Sequence, residues 1–493
     1  MTVFFLELLV IGYILFSVAP MYMSGAVVDE FQDEIYSRIS IPTFPCTINN
    51  TSGVPFSHVG QIGLKGDTAE SPKQPFFWFF EAETARPKKS PLILRLGSDL
   101  GESALLSALS GPAPCALVEN GTVFNPHRWT ERFNLLVLDY PGSVGYSKAQ
   151  EANNFHLEDA ALDVYDFLQK FFKLHPGLER NSVVISAGGS FGGLLAPYIG
   201  SVIQNANKAL ARKKGSKRDV HIRLDSIMLS GSILNPASYF RWHLHDRCSR
   251  NIYDPETCLR VYGEFPACLY KIQSALQNPT VESNIKAGTF CYETLFKVVM
   301  NNTQFFESPK CAGYDNLKDA PPTCQLSLAQ ANEFFGNPSV QDYIGLDYTS
   351  FNAWNAQIES KFHSTGELIR PYHILYEKLI KDGVRLLNYV GSEDSTNPWS
   401  ETVSDFERQQ TPFQGRFLRE AGSTWRLKDS PNATVRSIGV GAGTLTHILI
   451  SEAAPFVKQD QSALVKSIVE HWITNQPFQM DLEDDDRNQW QLV

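Results

Sequence analysis

Apolar positions along this chain alternate between two periods, and the changes of period outline the elements. Phe77-Trp78-Phe79-Phe80, Pro91–Leu96, Leu135–Asp139 and Val183-Val184-Ile185 are short runs of aromatic, leucine and β-branched residues. Such runs predict buried strands. Between them, Leu157–Phe172 carries Ala161, Val164, Phe167, Leu168 and Phe171 at helical spacing, and Gly192–Tyr198 opens a second helix. His221–Leu229, Val384–Val390 and Val435–Val440 read as further strands, and Gln461–Ile473 as a closing amphipathic helix. Strands alternating with helices predict an α/β class, with a mostly parallel central sheet and helices on both faces. From about 238 to 350 the rhythm fails and tryptophan, cysteine and polar residues replace it. We read this stretch as a cap above the C-terminal edge of the sheet. The core is thereby split into an N-terminal part, 27–237, and a C-terminal part, 351–493.

The first 26 residues change the picture. Phe4 to Val18 is almost continuously apolar, broken by Glu7, and Ser24-Gly25-Ala26 suits a signal peptidase. This predicts a secretory signal over 1–26. The region before it has no Lys or Arg, so an uncleaved anchor is the alternative, since about 20 apolar residues span a bilayer. Nothing later reads as transmembrane. A secreted or secretory-lumen location follows, the vacuole or lysosome included, with no membrane partner after cleavage.

Cysteine usage agrees with that route. There are eight cysteines: Cys46, Cys115, and the cluster Cys248, Cys258, Cys268, Cys291, Cys311 and Cys324. No C-x-x-C or adjacent histidine pair accompanies them, so disulfides are expected rather than a metal, and the pairing stays open. Asn49, Asn50, Asn120, Asn301 and Asn432 each begin an N-glycan acceptor. Hydrophobic content of 43% and aromatic content of 12% suffice for a packed core, and the net charge of −10 argues against nucleic acid. Arg212–Arg218 is then a solvated loop and Asp481–Asp486 a soluble end. No cofactor is implied.

The candidate chemistry centres on Gly188-Gly189-Ser190-Phe191-Gly192, which follows one predicted strand and opens a helix. A serine on so tight a turn needs neighbours without side chains, and the turn aims the next amides at the reacting centre. Ser190 is therefore the expected nucleophile, and the amide of Phe191 an expected oxyanion donor.

Several further motifs, in order, make the chain resemble the serine carboxypeptidase family, a branch of the α/β-hydrolases. They are Phe77-Trp78-Phe79-Phe80-Glu81 for F-W-F-F-E, Asn125-Pro126-His127-Arg128-Trp129 for N-P-x-x-W, and Asp139-Tyr140-Pro141 with Gly145-Tyr146-Ser147 for D-x-P-x-x-x-G-[FY]-S. Gly188–Gly193 corresponds to G-E-S-Y-G-G, and Tyr389–Asn397 resembles Y-x-G-x-x-D-x-x-x-N with the asparagine one place early. The resemblance implies an α/β-hydrolase fold with a disulfide-bearing cap and a Ser-His-Asp acyl-enzyme mechanism that releases C-terminal residues from peptides.

It also implies partners for Ser190. A serine needs an imidazole to take its proton and a carboxylate to hold that ring. Asp394 follows a strand in a tight polar loop and is the expected acid, with Glu393 its neighbouring competitor. The family's G-A-G-H-x-V-P becomes Gly441-Ala442-Gly443-Thr444, with the histidine at His447, so the loop is expected to be lengthened; His471 belongs inside the final helix.

The departures concentrate where the family binds its substrate. The family's W-L-N-G-G-P-G-C-S-S reads Arg95-Leu96-Gly97-Ser98-Asp99-Leu100-Gly101-Glu102-Ser103-Ala104. Gly97, Gly111 and Gly189 stand at the three positions whose side chains bind the peptide's free carboxylate in the family's carboxypeptidases. Asp99 replaces the glycine that supplies the second oxyanion amide. Arg95 is the nearby cation that can rescue carboxylate binding, unless Asp99 or Glu102 neutralises it. The expected substrate is thus a peptide or a small ester. An acyltransferase or esterase keeping the triad and a catalytically inactive binding relative are the alternatives; oligomeric state is not legible.

Overall fold

The main sheet is built from β1 (Ile35–Ile41), β2 (Ser57–Ile62), β3 (Phe76–Phe80), β4 (Leu92–Arg95), β5 (Asn134–Asp139), β6 (Ser182–Gly188), β7 (Arg223–Ser230), β8 (Arg385–Gly391), β9 (Ser423–Arg426), β10 (Asn432–Ile438) and β11 (Leu445–Ile450). The computed structural model describes residues 35–41 (main chain only), 57–98, 100–118, 121–149, 156–214, 219–251, 253–295, 328–345, 350–394, 397–427, 430–453 and 461–478. The chain falls into two units, Met1–Gln32 and Asp33–Val493, and every described residue lies in the second. The expected signal, Cys46, Asn49, Asn50, Asp99, Asn120, Asn301, Cys311 and Cys324 lie outside the described residues.

The strand order is β1-β2-β3-β5-β4-β6-β7-β8-β11-β10-β9. Pairing is parallel from β5 through β4, β6, β7 and β8 to β11, and antiparallel beyond both ends of that block. Parallel strands have both faces covered, which is why they read as continuous apolar runs. In β3 all five residues are buried: Phe77 and Phe79 pack edge-on against Phe167 and Phe171 of α2 (Leu157–Leu174), and Trp78 and Phe80 face the opposite core. With α2, α3 (Gly189–Ala211) lies on one face of the sheet; α1 (Ala104–Leu109) contributes to the core on the other.

The 238–350 stretch is more regular than its composition suggests. It contains α4 (Pro236–Ser249), α5 (Pro255–Gln277), α6 (Val281–Leu295), α7 (Leu328–Gly336) and α8 (Pro338–Ile344). Buried Val261, Cys268, Ile272 and Ala287 continue the core of the α2 face. Cys248–Cys258 ties α4 to α5, and Cys268–Cys291 ties α5 to α6. Cys115 is also in a disulfide. Chain then returns through α9 (Ala356–Ser364), α10 (Tyr372–Lys381), α11 (Trp399–Arg408) and α12 (Ser462–Ile473). Asn432 is exposed at the start of β10, a position open to a glycan. Among the described residues no helix is long and apolar enough to cross a membrane.

One element differs from the sequence expectation in a way that matters. Gly439, Gly441 and Gly443, all with positive φ, form the hairpin turn between antiparallel β10 and β11. The Gly441-Ala442-Gly443 stretch therefore turns from one strand into the next instead of closing the last strand. Thr444 and the residues after it continue directly into β11.

Candidate active site

The C-terminal edge of the parallel block is set by register. Gly188 pairs with Ser230, Ser230 with Tyr389, and Gly391 with Ile450. Ser190 is the second residue of α3, immediately beyond β6. The step from strand to helix is taken by Gly189 at φ +60, a conformation that a residue with a side chain adopts only under strain. A Cβ on Gly192 would stand 2.8 Å from the Ala187 Cβ, and one on Gly193 would stand 2.2 Å from the Ile233 oxygen. Gly192 and Gly193 thus let α3 pack directly on the end of β6 and on the loop after β7.

The flanking motifs serve as props for this edge. Asp139 Oδ1 accepts from the Ser103 hydroxyl at 2.8 Å and from the Ala104 amide at 2.7 Å, holding the start of α1. Gly145 leaves the space for that carboxylate, since a Cβ there would come within 1.7 Å of Asp139 Oδ2. Burial pushes the Asp139 pKa up to about 7, against the pull of those hydrogen bonds. Asn125 donates to the carbonyls of Gly111 and Ala113, and the amide of buried Trp129 donates to Pro112. Both motifs therefore brace the chain between β4 and β5. Gly97 and Gly111 are buried within it and Gly189 is half-buried.

Arg95 corrects an expectation. Its guanidinium is fully buried on the α1 side of the sheet. Nε donates to the Ser107 hydroxyl at 3.2 Å, Nη1 to Ser186 at 3.1 Å and Nη2 to Ser98 at 3.2 Å. Burial lowers its pKa, opposed by Tyr389 and Glu102. A strand residue points to one face of its sheet, and Arg95 points into the core rather than over the edge. It is not placed to meet a substrate.

At the other end of the site, the structure distinguishes between the two candidate acids. Asp394 is buried, its Oδ1 accepts from the Asn397 amide at 2.8 Å, and Gly231 (φ +53) leaves room for Oδ2. Glu393 instead faces the solvent side and pairs with Arg250, just past α4, at 3.3 Å.

His447 is a second correction. It lies within β11, opposite Asn388 of β8, three residues before Ile450, which pairs with Gly391 at the edge. At about 3.3 Å per residue this is roughly 10 Å down the strand. Its ring is buried, with Nε2 2.8 Å from the Thr402 hydroxyl of α11 and an edge contact to Phe406. Burial, helped by Arg436, lowers its pKa to about 3, so the ring is neutral. The described structure does not bring it together with Asp394. Counting back from Pro455 as the proline of H-x-V-P places Glu452 where the motif has its histidine. Glu452 is exposed in the turn after β11, with φ +56, and its amide donates to the Ser392 hydroxyl at 2.9 Å.

Sequence reasoning missed the groups behind Asp394. Glu401 and Asp405 are buried on α11, and His243 Nε2 of α4 lies 3.9 Å from Glu401. Burial, with Asp405 and Asp394 nearby, holds the Glu401 pKa well above the carboxylate range; burial raises Asp405 to about 7. Their four-residue spacing on one helix face is visible in the sequence, but it reads equally well as a solvated face. Among the described residues no group of His, Cys, Asp and Glu is arranged to hold a metal.

Comparison with known proteins fits this geometry. The serine carboxypeptidase family profile matches residues 54–475. The chain is 26% identical to a carboxypeptidase Y homolog A of Coccidioides posadasii, over 68% of this chain and 59% of that protein. It is 24% identical to carboxypeptidase Y of Candida albicans, over 83% of this chain and 72% of the relative. In fold it is similar to Kex1(delta)p, a prohormone-processing carboxypeptidase from Saccharomyces cerevisiae, with a TM-score of 0.69, 19% identity, and coverage of 86% of this chain and 92% of that one. An elbow serine at the start of α3, an acid over the adjoining strands and a profile match across most of the length converge: the chain belongs to the serine carboxypeptidase family.

Proposed function

We propose that the protein is a serine carboxypeptidase-family hydrolase of the secretory lumen, with Ser190 as nucleophile and Asp394 as the acid of the site. The observation that carries this reading is a glycine-flanked serine at the head of α3 and a buried carboxylate just beyond β8, both at the C-terminal edge of the parallel block. In the reaction, the serine oxygen adds to the acyl carbon while its proton passes to a base. The tetrahedral oxyanion is met by amides of the first turn of α3, including that of Phe191, and water then cleaves the acyl-enzyme. In this reading the base comes from the turn after β11, where counting back from Pro455 sets Glu452. A carboxylate is a weaker base than an imidazole by about two pKa units, so such an arrangement turns over slowly at neutral pH. Gly97, Gly111 and Gly189 offer no side chain to a substrate carboxylate, which favours esters and blocked peptides over free peptide ends. The two disulfides of the cap support an oxidising compartment.

A second reading, a binding-only relative, is favoured by the burial of His447 in β11. One experiment separates the two. Wild type and Ser190→Ala are exposed to a fluorophosphonate probe at acid and neutral pH. Labelling that is lost in Ser190→Ala supports the hydrolase; no labelling at either pH supports the binding protein.

A further inference from the structure

Away from Ser190, at the opposite end of the parallel strands, a cavity of about 420 Å³ opens beside the C-terminus of α2. That volume suits a small organic molecule. Asn134, the first residue of β5, forms part of the floor, its amide tied to the carbonyls of Pro87 and Ser90. About seven strand residues separate this end from the elbow, roughly 20 Å.

The lining is unusual in its charges. Glu81 Oε1 lies 3.7 Å from Nε2 of buried His58. The His58 ring meets the buried His175 ring edge-on at a centroid distance of 5.0 Å. Lys88 contributes the opposite charge; its stem passes over Gly177, with Cδ 3.8 Å from where a Cβ would be. Leu174 and Leu178 supply an apolar wall. A simple anion entering here would face Glu81, and a simple cation would face Lys88. Only a molecule carrying both charges is partnered at both ends, and an unpartnered charge in a partly desolvated pocket is costly.

We propose that this cavity is a binding site for a zwitterionic α-amino acid with an apolar side chain. The ammonium group pairs with Glu81, the carboxylate with Lys88, and the side chain packs on Leu174 and Leu178. The inference does not depend on hydrolysis at Ser190.

The test uses the full chain carrying Ser190→Ala, with L-leucine as probe and titration calorimetry as readout. 4-Methylvalerate and isoamylamine serve as analogues that keep one charge each. Leucine is expected to bind saturably, and each analogue at least about tenfold more weakly. Glu81→Gln, at a half-buried position, and Lys88→Met, at an exposed one, are each expected to weaken leucine about tenfold without moving the Tm. No saturable binding in the millimolar range, equal binding of the analogues, or leucine binding that survives both substitutions would overturn the proposal.

Discussion

The two sides of the C-terminal edge retain family residues for different reasons. On the β4–β6 side, Asp139, Gly145, Asn125 and the elbow glycines are kept in place by packing and by hydrogen bonds to the main chain. They hold a shape, whatever the chemistry above it. On the β8–β11 side, the buried acid Asp394 is present, while the histidine lies about three residues down its strand and a glutamate occupies the turn. Motifs that support a scaffold are therefore weaker evidence for turnover than the one residue that must accept a proton.

The sharpest way to break this contrast is to supply an imidazole on the β11 side. Glu452→His should raise the rate of fluorophosphonate labelling by about two orders of magnitude at neutral pH, the usual contribution of a positioned imidazole. Adding Ser190→Ala should abolish the gain. His447→Gln in the same background should leave the labelling rate of folded protein unchanged, and a loss there would return His447 to the site.

On the scaffold side, Gly145→Ala forces a methyl group within 1.7 Å of the Asp139 carboxylate, in a backbone conformation (φ +60) hostile to side chains. A loss of stability of about 3 kcal/mol or more is expected in urea unfolding. A change below about 1 kcal/mol would show that Asp139 does not brace α1.

The two sides share buried acids with raised pKa values, Asp139 and Asp405 near 7 and Glu401 well above the ordinary carboxylate range. An acid whose folded pKa is raised binds more protons folded than unfolded between about pH 4 and its folded pKa. The associated stability is complete below about pH 4 and declines as pH rises through 7. The Tm should therefore be higher at pH 5 than at pH 8, with a difference in unfolding free energy of a few kcal/mol. Glu401→Gln should flatten that slope, and an equally steep slope in the variant would remove Glu401 from the account.

The smallest effect expected is in specificity. With Gly97, Gly111 and Gly189 in place of side chains, and Arg95 committed to three serine hydroxyls, a free peptide end has no dedicated partner. The ratio of kcat/KM for a matched free-acid and amide pair should lie within about threefold. A strong preference for the free acid would mean that carboxylate recognition has been rebuilt from other residues.

Much of this was legible along the chain. Phe76–Phe80, Leu157–Leu174 and Ser182–Gly188 declare themselves because a strand buried on both faces, or a helix buried on one, imposes its period locally. The elbow was legible for the same reason, since its tight turn demands glycines at fixed offsets. The position of His447 was not. A Gly-Ala-Gly turn precedes a strand as readily as it follows one, and Thr446 and His447 interrupt the apolar run that would have marked β11.

By itself, then, the sequence determined the α/β architecture, the place of Ser190 at the head of a helix, and the loss of side chains at Gly97, Gly111 and Gly189. Those follow from residues adjacent in the chain or from residues simply absent. Tertiary structure alone decided the assignments of the polar groups. Thr402 on α11 accommodates His447, the serines of β6 and α1 accommodate Arg95, and Arg250 at the end of α4 pairs with Glu393. Each partner is distant in sequence, and a buried polar side chain goes where a hydrogen-bond partner awaits it.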